Sequence, residues 1–186
     1  MRVVRALLAG VALLVSAAVS AGALLPLQPR AQAREAPAFT QRSAEGWINS
    51  SPLRWTDLRG AVVLLDFWTF ACWNCYRSFP WLKALEARYA DQGLRVIGIH
   101  SPEFEHERER ENVERKVGEY GLTHPVMLDG DFAYWRAIGN EYWPTFYLID
   151  RAGRIRAIYA GETHAGDARA QAIEADLRAL LAEPDR

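Results

Sequence analysis

Residues 62–81 read VVLLDFWTFACWNCYRSFPW, and their order decides the fold. An apolar run from Val62 to Leu65 leads through Asp66, Phe67 and Trp68 into Cys72-Trp73-Asn74-Cys75, after which Phe79, Leu82, Leu85 and Tyr89 recur at helical spacing. That pattern describes a buried strand, a short turn, and an amphipathic helix whose first turn carries both sulfurs. A helix N-terminus has unpaired N–H groups and about half a positive charge, so it favours an anion. The anion would be the Cys72 thiolate, the nucleophilic form of sulfur. Two intervening residues keep Cys75 within closing distance of Cys72, and the expected chemistry is a reversible dithiol/disulfide pair.

Other uses of the same spacing fit less well. Half of a zinc site is also CxxC, but these are the chain's two cysteines, no HxxxH accompanies them, and the four histidines are scattered. A structural disulfide more often links distant elements than spans one helical turn. A CxxC that follows a strand and opens a helix is the context of a redox motif.

The 186 residues suit one domain with a sizeable core and an N-terminal extra, 1–33. Half the residues are hydrophobic and the formal net charge is −1, so nucleic acid is not an expected partner. Arg2 and Arg5 precede residues 6–25, which are all Ala, Leu, Gly, Val or Ser. Twenty residues at 1.5 Å each reach about 30 Å, the thickness of a bilayer's hydrocarbon core. Positive charge ahead of the span favours an inside N-terminus and places the remainder outside the cytoplasm. Ala31-Gln32-Ala33 has the small-residue form of a cleavage site. The expectation is therefore export, with 1–33 either a membrane-inserted anchor or a removed signal peptide.

Residues 34–46 read as a linker, interrupted by Pro37, and 47–186 as the folded domain, onto which Phe39, Trp47 and Ile48 pack. Residues 53–55 are expected as a short strand and 56–60 as a turn closed by Gly60. After the central helix come a strand at 94–100, an exposed charge-rich helix at 104–120, a strand at 125–128 and a short helix at 132–138. A strand at 145–150 then turns through Arg151-Ala152-Gly153-Arg154 into 155–159. A helix at 167–181 closes the chain, with Ala168, Ile173, Leu177, Leu180 and Leu181 inward. The class is α/β: a central mixed sheet flanked by helices.

LLDFWTFACWNC, the proline of YWPTFYLID, and RAGRIRAIYAG together resemble the thioredoxin superfamily. More closely, they are similar to exported TlpA/ResA-like thioredoxins, above all the thioredoxin-like domain of DipZ-type proteins. Asp57-Leu58-Arg59-Gly60, His100-Ser101-Pro102-Glu103-Phe104 and Gly139-Asn140-Glu141-Tyr142-Trp143-Pro144 fit that subgroup. The resemblance covers about residues 47–181 and implies a thioredoxin fold, disulfide exchange with exported proteins that carry disulfides, and no cofactor. It implies attack by Cys72, resolution by Cys75, and a buried acid at Asp66 that takes the Cys75 proton. Pro144 would be a cis-proline facing the cysteines, and with Trp143 and Trp73 it would contact a substrate strand.

Departures from the pattern also matter. Ala71 stands where thioredoxins have tryptophan, and Trp73-Asn74 replaces their Gly-Pro, so the reduction potential does not carry over. Ser78 occupies the position of a ResA-type glutamate. Glu103, after a strand's carboxyl end where α/β sheets place their sites, is a candidate proton relay. Two other functions compete: a thiol peroxidase, which the tight CxxC disfavours, and a copper-carrying module, which needs CxxxC spacing and a late histidine such as His164. An exported two-cysteine protein would stay oxidised unless electrons crossed the membrane. DipZ-type proteins join such a domain to a CcdA-like span, so the expected electron donor here is a separate CcdA-like membrane partner at the inner membrane.

Overall fold

The computed structural model describes residues 33–184. The apolar run at 6–25 lies outside them, and among the described residues no helix is long and apolar enough to cross a membrane. Seven strands form one sheet: β1 (Arg34–Glu35), β2 (Trp47–Ile48), β3 (Val62–Trp68), β4 (Leu94–His100), β5 (Val126–Leu128), β6 (Thr145–Ile149) and β7 (Arg154–Ala160), in the order β1-β7-β6-β3-β4-β5-β2. β3, β4 and β5 run parallel, while β6, β7, β1 and β2 pair antiparallel, so the sheet is mixed as expected.

β3 is buried along its whole length because both of its faces are covered. Val62, Leu64 and Trp68 face α1 (Trp73–Tyr89), α2 (Arg110–Tyr120) and α4 (Ala168–Ala182); Val63, Leu65 and Phe67 face α3 (Ala133–Ile138) and the N-terminal aromatics. A strand clad on both sides reads as a continuous apolar run, and that makes Asp66 conspicuous. It lies between Gly98 of β4 and Phe146 of β6, on the α1 side by strand alternation.

Several expectations are corrected. Residues 34–46, expected as a linker, begin as a strand, with Arg34 and Glu35 paired to Ile155 and Arg154 at the sheet edge, while Phe39 packs onto the domain as expected, in an aromatic cluster with Trp47, Trp55 and Tyr134. Residues 53–55 form no strand. Asp57 accepts hydrogen bonds from the Arg54 backbone and guanidinium, and that clasp winds Trp55–Leu58 into a 3-10 turn. The charge-rich stretch 104–120 is two elements, a 3-10 turn at Glu105–Glu107 and α2, and it turns inward at Glu107, which is fully buried. In α4 the inward alanine is Ala170, while Ala168 is exposed beside the Asp167 N-cap.

Candidate active site

Cys72 is the N-cap of α1, and its Sγ accepts the Cys75 N–H at 3.2 Å. Cys72 and Cys75 form a disulfide with their Cα atoms 5.3 Å apart. Cys72 is half-buried, whereas Cys75 is buried among Trp68, Phe79 and Phe146. The reachable sulfur is thus the one at the positive end of a 17-residue helix, where a thiolate is stabilised.

Asp66 lies on the α1 side of β3, between Gly98 and Phe146. Both carboxyl oxygens are buried and neither has a hydrogen-bond partner. Burial pushes its pKa from the ordinary 3.8 up to about 8. The cause is desolvation of the charged form with nothing to offset it. An acid so placed exchanges its proton near neutral pH, where a general acid or base is most effective.

The third part is the loop before β6. The Trp143–Pro144 peptide is cis, and the Pro144 carbonyl accepts the Gly161 N–H at 2.8 Å. Trp143 is held by its indole N–H, which donates to the Ser101 carbonyl at 3.0 Å, and by Trp135, 4.4 Å away between ring centroids. The Ser101 hydroxyl donates to Asp129, which also receives the Tyr134 and Trp135 N–H groups at the start of α3. One buried carboxylate therefore ties α3, the β4 end and the Trp143 loop together. Trp73, 67% exposed, and Tyr76, 46% exposed, stand on the solvent side of the disulfide.

Glu103 is at the surface, and the carboxyl built against the motif belongs to Glu107. It accepts the Thr69 hydroxyl, the Ala71 N–H at 2.8 Å, and the Glu103 and Phe104 N–H groups at 2.7 and 2.8 Å. Burial pushes the Glu107 pKa up, but these four donors outweigh it and hold it below the ordinary glutamate value. His100, packed against Trp68 and Phe70, is driven down to about 4 by burial, which the Glu107 charge only partly opposes, so the imidazole is neutral at pH 7. Sequence reasoning missed Glu107 because EFEHERERE looks like a solvated face. A glutamate three residues after Phe104, able to reach back to that residue's N–H, is a capping box, and that was the available signal.

Ser78, at the position of the ResA-type glutamate, is buried; its hydroxyl donates to the Asn74 carbonyl and accepts the Thr163 N–H. The loop after β7 is thereby pinned to α1. His164, in that loop, pairs with Glu162, and among the described residues no group of three or more acidic, His or Cys side chains could hold a metal ion.

Fold and site define a thiol–disulfide oxidoreductase with the thioredoxin fold. The chain belongs to the Redoxin family, which matches residues 31–177. It is 42% identical over 120 residues to Protein DipZ of Mycobacterium tuberculosis, an alignment that takes in 63% of this chain but 17% of that protein. It is 32% identical over 126 residues to Thiol-disulfide oxidoreductase ResA of Geobacillus thermodenitrificans, covering 68% of this chain and 67% of ResA. A Chlorobium tepidum crystal structure described as a thiol:disulfide interchange protein DsbE superposes with a TM-score of 0.68 at 26% identity, over 80% of this chain and 96% of that one.

Proposed function

We propose that the protein reduces disulfides of exported proteins outside the cytoplasm, with electrons supplied by a CcdA-like membrane partner. The observation that carries this reading is the pairing of a reachable sulfur at the α1 N-cap with a buried sulfur and a buried, partnerless carboxyl. In the reduced protein the Cys72 thiolate attacks a substrate disulfide, forming a mixed disulfide and releasing one substrate thiolate. Asp66 takes the Cys75 proton, and the Cys75 thiolate attacks Cys72 Sγ. The Cys72–substrate bond breaks, the second substrate thiolate leaves, and two electrons have passed to the substrate. Trp73, Trp143 and Pro144 bind the substrate strand.

The location is supported by the two arginines ahead of the apolar run at 6–25. The direction of flow is supported by the likeness to DipZ and by the oxidising character of outside compartments, where this pair stays closed without a reductant. Alkylating thiols in intact cells, with and without the membrane reductase, tests both. Cys72 and Cys75 should be mainly reduced in the first strain and oxidised in the second. A pair oxidised in both strains, with a potential near about −120 mV, would make the protein a disulfide donor instead.

A further inference from the structure

The turn that carries Cys72 into α1 is held by one buried carboxylate. Glu107 Oε1 accepts the Thr69 hydroxyl and the N–H of Ala71, the residue before Cys72. The Cys72 N–H closes the same turn on the Thr69 carbonyl at 3.3 Å. Oε2 accepts the Glu103 and Phe104 N–H groups. All four partners are neutral donors, so the negative charge is fixed in place without being cancelled. Burial works against that charge, but the four hydrogen bonds outweigh it and keep the carboxyl ionised at neutral pH. From Ala71 N the chain reaches Cys72 Sγ through a single residue. By covalent reach alone the charge is therefore no more than about 10 Å from the sulfur, a distance over which it is felt.

The other titratable and charged groups around the turn do not duplicate it. Asp66, on β3, is largely protonated at pH 7. His100, at the end of β4 and 3.4 Å from the Thr69 hydroxyl, is neutral. Tyr120, on α2, donates to the Phe70 carbonyl and is pushed above its ordinary value by burial. The Glu107 charge favours the protonated form of both His100 and Tyr120, so its field already crosses this region. His106 lies against the Phe70 ring at the surface, and Glu103 faces solvent. The nearby cations are each paired with another acid: Arg77 with Glu162, Arg108 with Glu105, and Lys116 with Glu119.

We infer that the Glu107 charge sets the reactivity of Cys72, opposing the α1 N-terminus and holding the Cys72–Cys75 couple on the reducing side. This rests on the reading of Cys72 as the attacking sulfur. The helix end stabilises the thiolate, and a stabilised reduced form is what makes a dithiol protein a strong oxidant. A fixed negative charge near the sulfur acts in the opposite sense, because it disfavours the thiolate. The pair then gives up its electrons more readily, and the Cys72 thiolate is the stronger nucleophile for being the more basic. Glu107 is a positioning residue, acting through the turn that carries Cys72.

The test is the pH dependence of iodoacetamide alkylation of the reduced full-length protein, with the labelled cysteine identified by mass spectrometry, together with the reduction potential in glutathione buffers. Glu107→Gln keeps the side-chain length and one acceptor oxygen but removes the charge. The Cys72 pKa should fall by about one unit, and the potential should rise, by about 30 mV for a tenfold change in the exchange equilibrium. Thr69→Val removes a donor that offsets part of the charge and leaves the charge itself. There the Cys72 pKa should rise and the potential fall, each by a smaller amount. A carboxyl that only clasped the turn would move both variants the same way, since each loosens the clasp. Shifts of the same sign, or wild-type values in Glu107→Gln, would overturn the inference. If Glu107→Gln does not fold, Thr69→Val decides: a Cys72 pKa that falls or stays put there overturns it. Alkylation of Cys75 ahead of Cys72 in the wild type would instead overturn the reading on which the inference rests.

Discussion

The backbone N–H of Ala71 donates to Glu107 Oε1 at 2.8 Å across 36 residues of sequence. The last amide before the attacking cysteine is thus fixed by a carboxylate from the β4–α2 connection. The same carboxylate takes the Thr69 hydroxyl from the end of β3 and two amides from its own loop. The turn that delivers Cys72 to the helix is therefore shaped from outside the CxxC.

Glu107→Ala leaves those buried donors without an acceptor. An unpaired buried polar group costs roughly 1–3 kcal/mol, so the expected loss of stability is about 2 kcal/mol or more. The folded pKa is held low, so the carboxylate's contribution is complete above the ordinary value of 4.5 and fades as pH falls through the folded value. Urea unfolding should show the gap between wild type and Glu107→Gln narrowing from pH 7 to pH 3. A constant gap would mean that the charge does no stabilising work.

Cys75→Ser should trap mixed disulfides with substrate through Cys72, because the resolving attack is lost. Cys72→Ser should trap none, since its remaining sulfur is buried. Non-reducing gels of cells expressing each variant check the order; the reverse pattern would exchange the two roles.

Asp66→Asn should be more stable and less active. A carboxyl whose pKa rises from 3.8 to about 8 on folding binds its proton more tightly in the folded protein. The stability it allows therefore declines as pH rises between those values. The amide has no charge to bury, so the variant should gain up to about 5 kcal/mol at pH 8 and almost nothing at pH 4. Turnover should fall roughly 10²- to 10⁴-fold, the share of a positioned acid or base. Equal stability of the two proteins across pH 4–8 would place the carboxyl in contact with water.

Trp143→Phe retains an aromatic ring against Trp135 but loses the donor to the Ser101 carbonyl. One hydrogen bond is worth about 1 kcal/mol, so KM for a protein disulfide should rise several-fold. Reduction of a small disulfide, which needs no strand binding, should keep its rate. Parallel losses on both substrates would argue that Trp143 supports the disulfide rather than the substrate.

The strand–turn–helix around the cysteines was legible because two signals coincide there: an unbroken apolar run for a doubly covered strand and helical spacing at Phe79, Leu82, Leu85 and Tyr89. Asp66 stood out as the acid in that run. Glu107, His124 and Asp129 did not, since each is one polar residue whose burial depends on a loop or strand far away in sequence. Asp129 gathers α3 and Ser101; His124 and Trp68 both border Gly98. Arg34 and Glu35 were hidden for another reason: a strand of two residues has no period, and only its partner β7 makes it one.

That two-residue strand has a use of its own. Arg34 and Glu35 lie along β7, the Arg34 guanidinium donates to the Ile138 carbonyl, and Ala36 N–H donates to Gly153. They occupy backbone groups that would otherwise be open to a strand from another molecule. A fragment begun at Gln41 would discard this cover together with Phe39. Such a fragment is expected to self-associate edge to edge through β7, whereas one begun at Ala33 should remain monodisperse in light scattering at the same concentration. The stretch leading into the domain thus also works as a guard against aggregation.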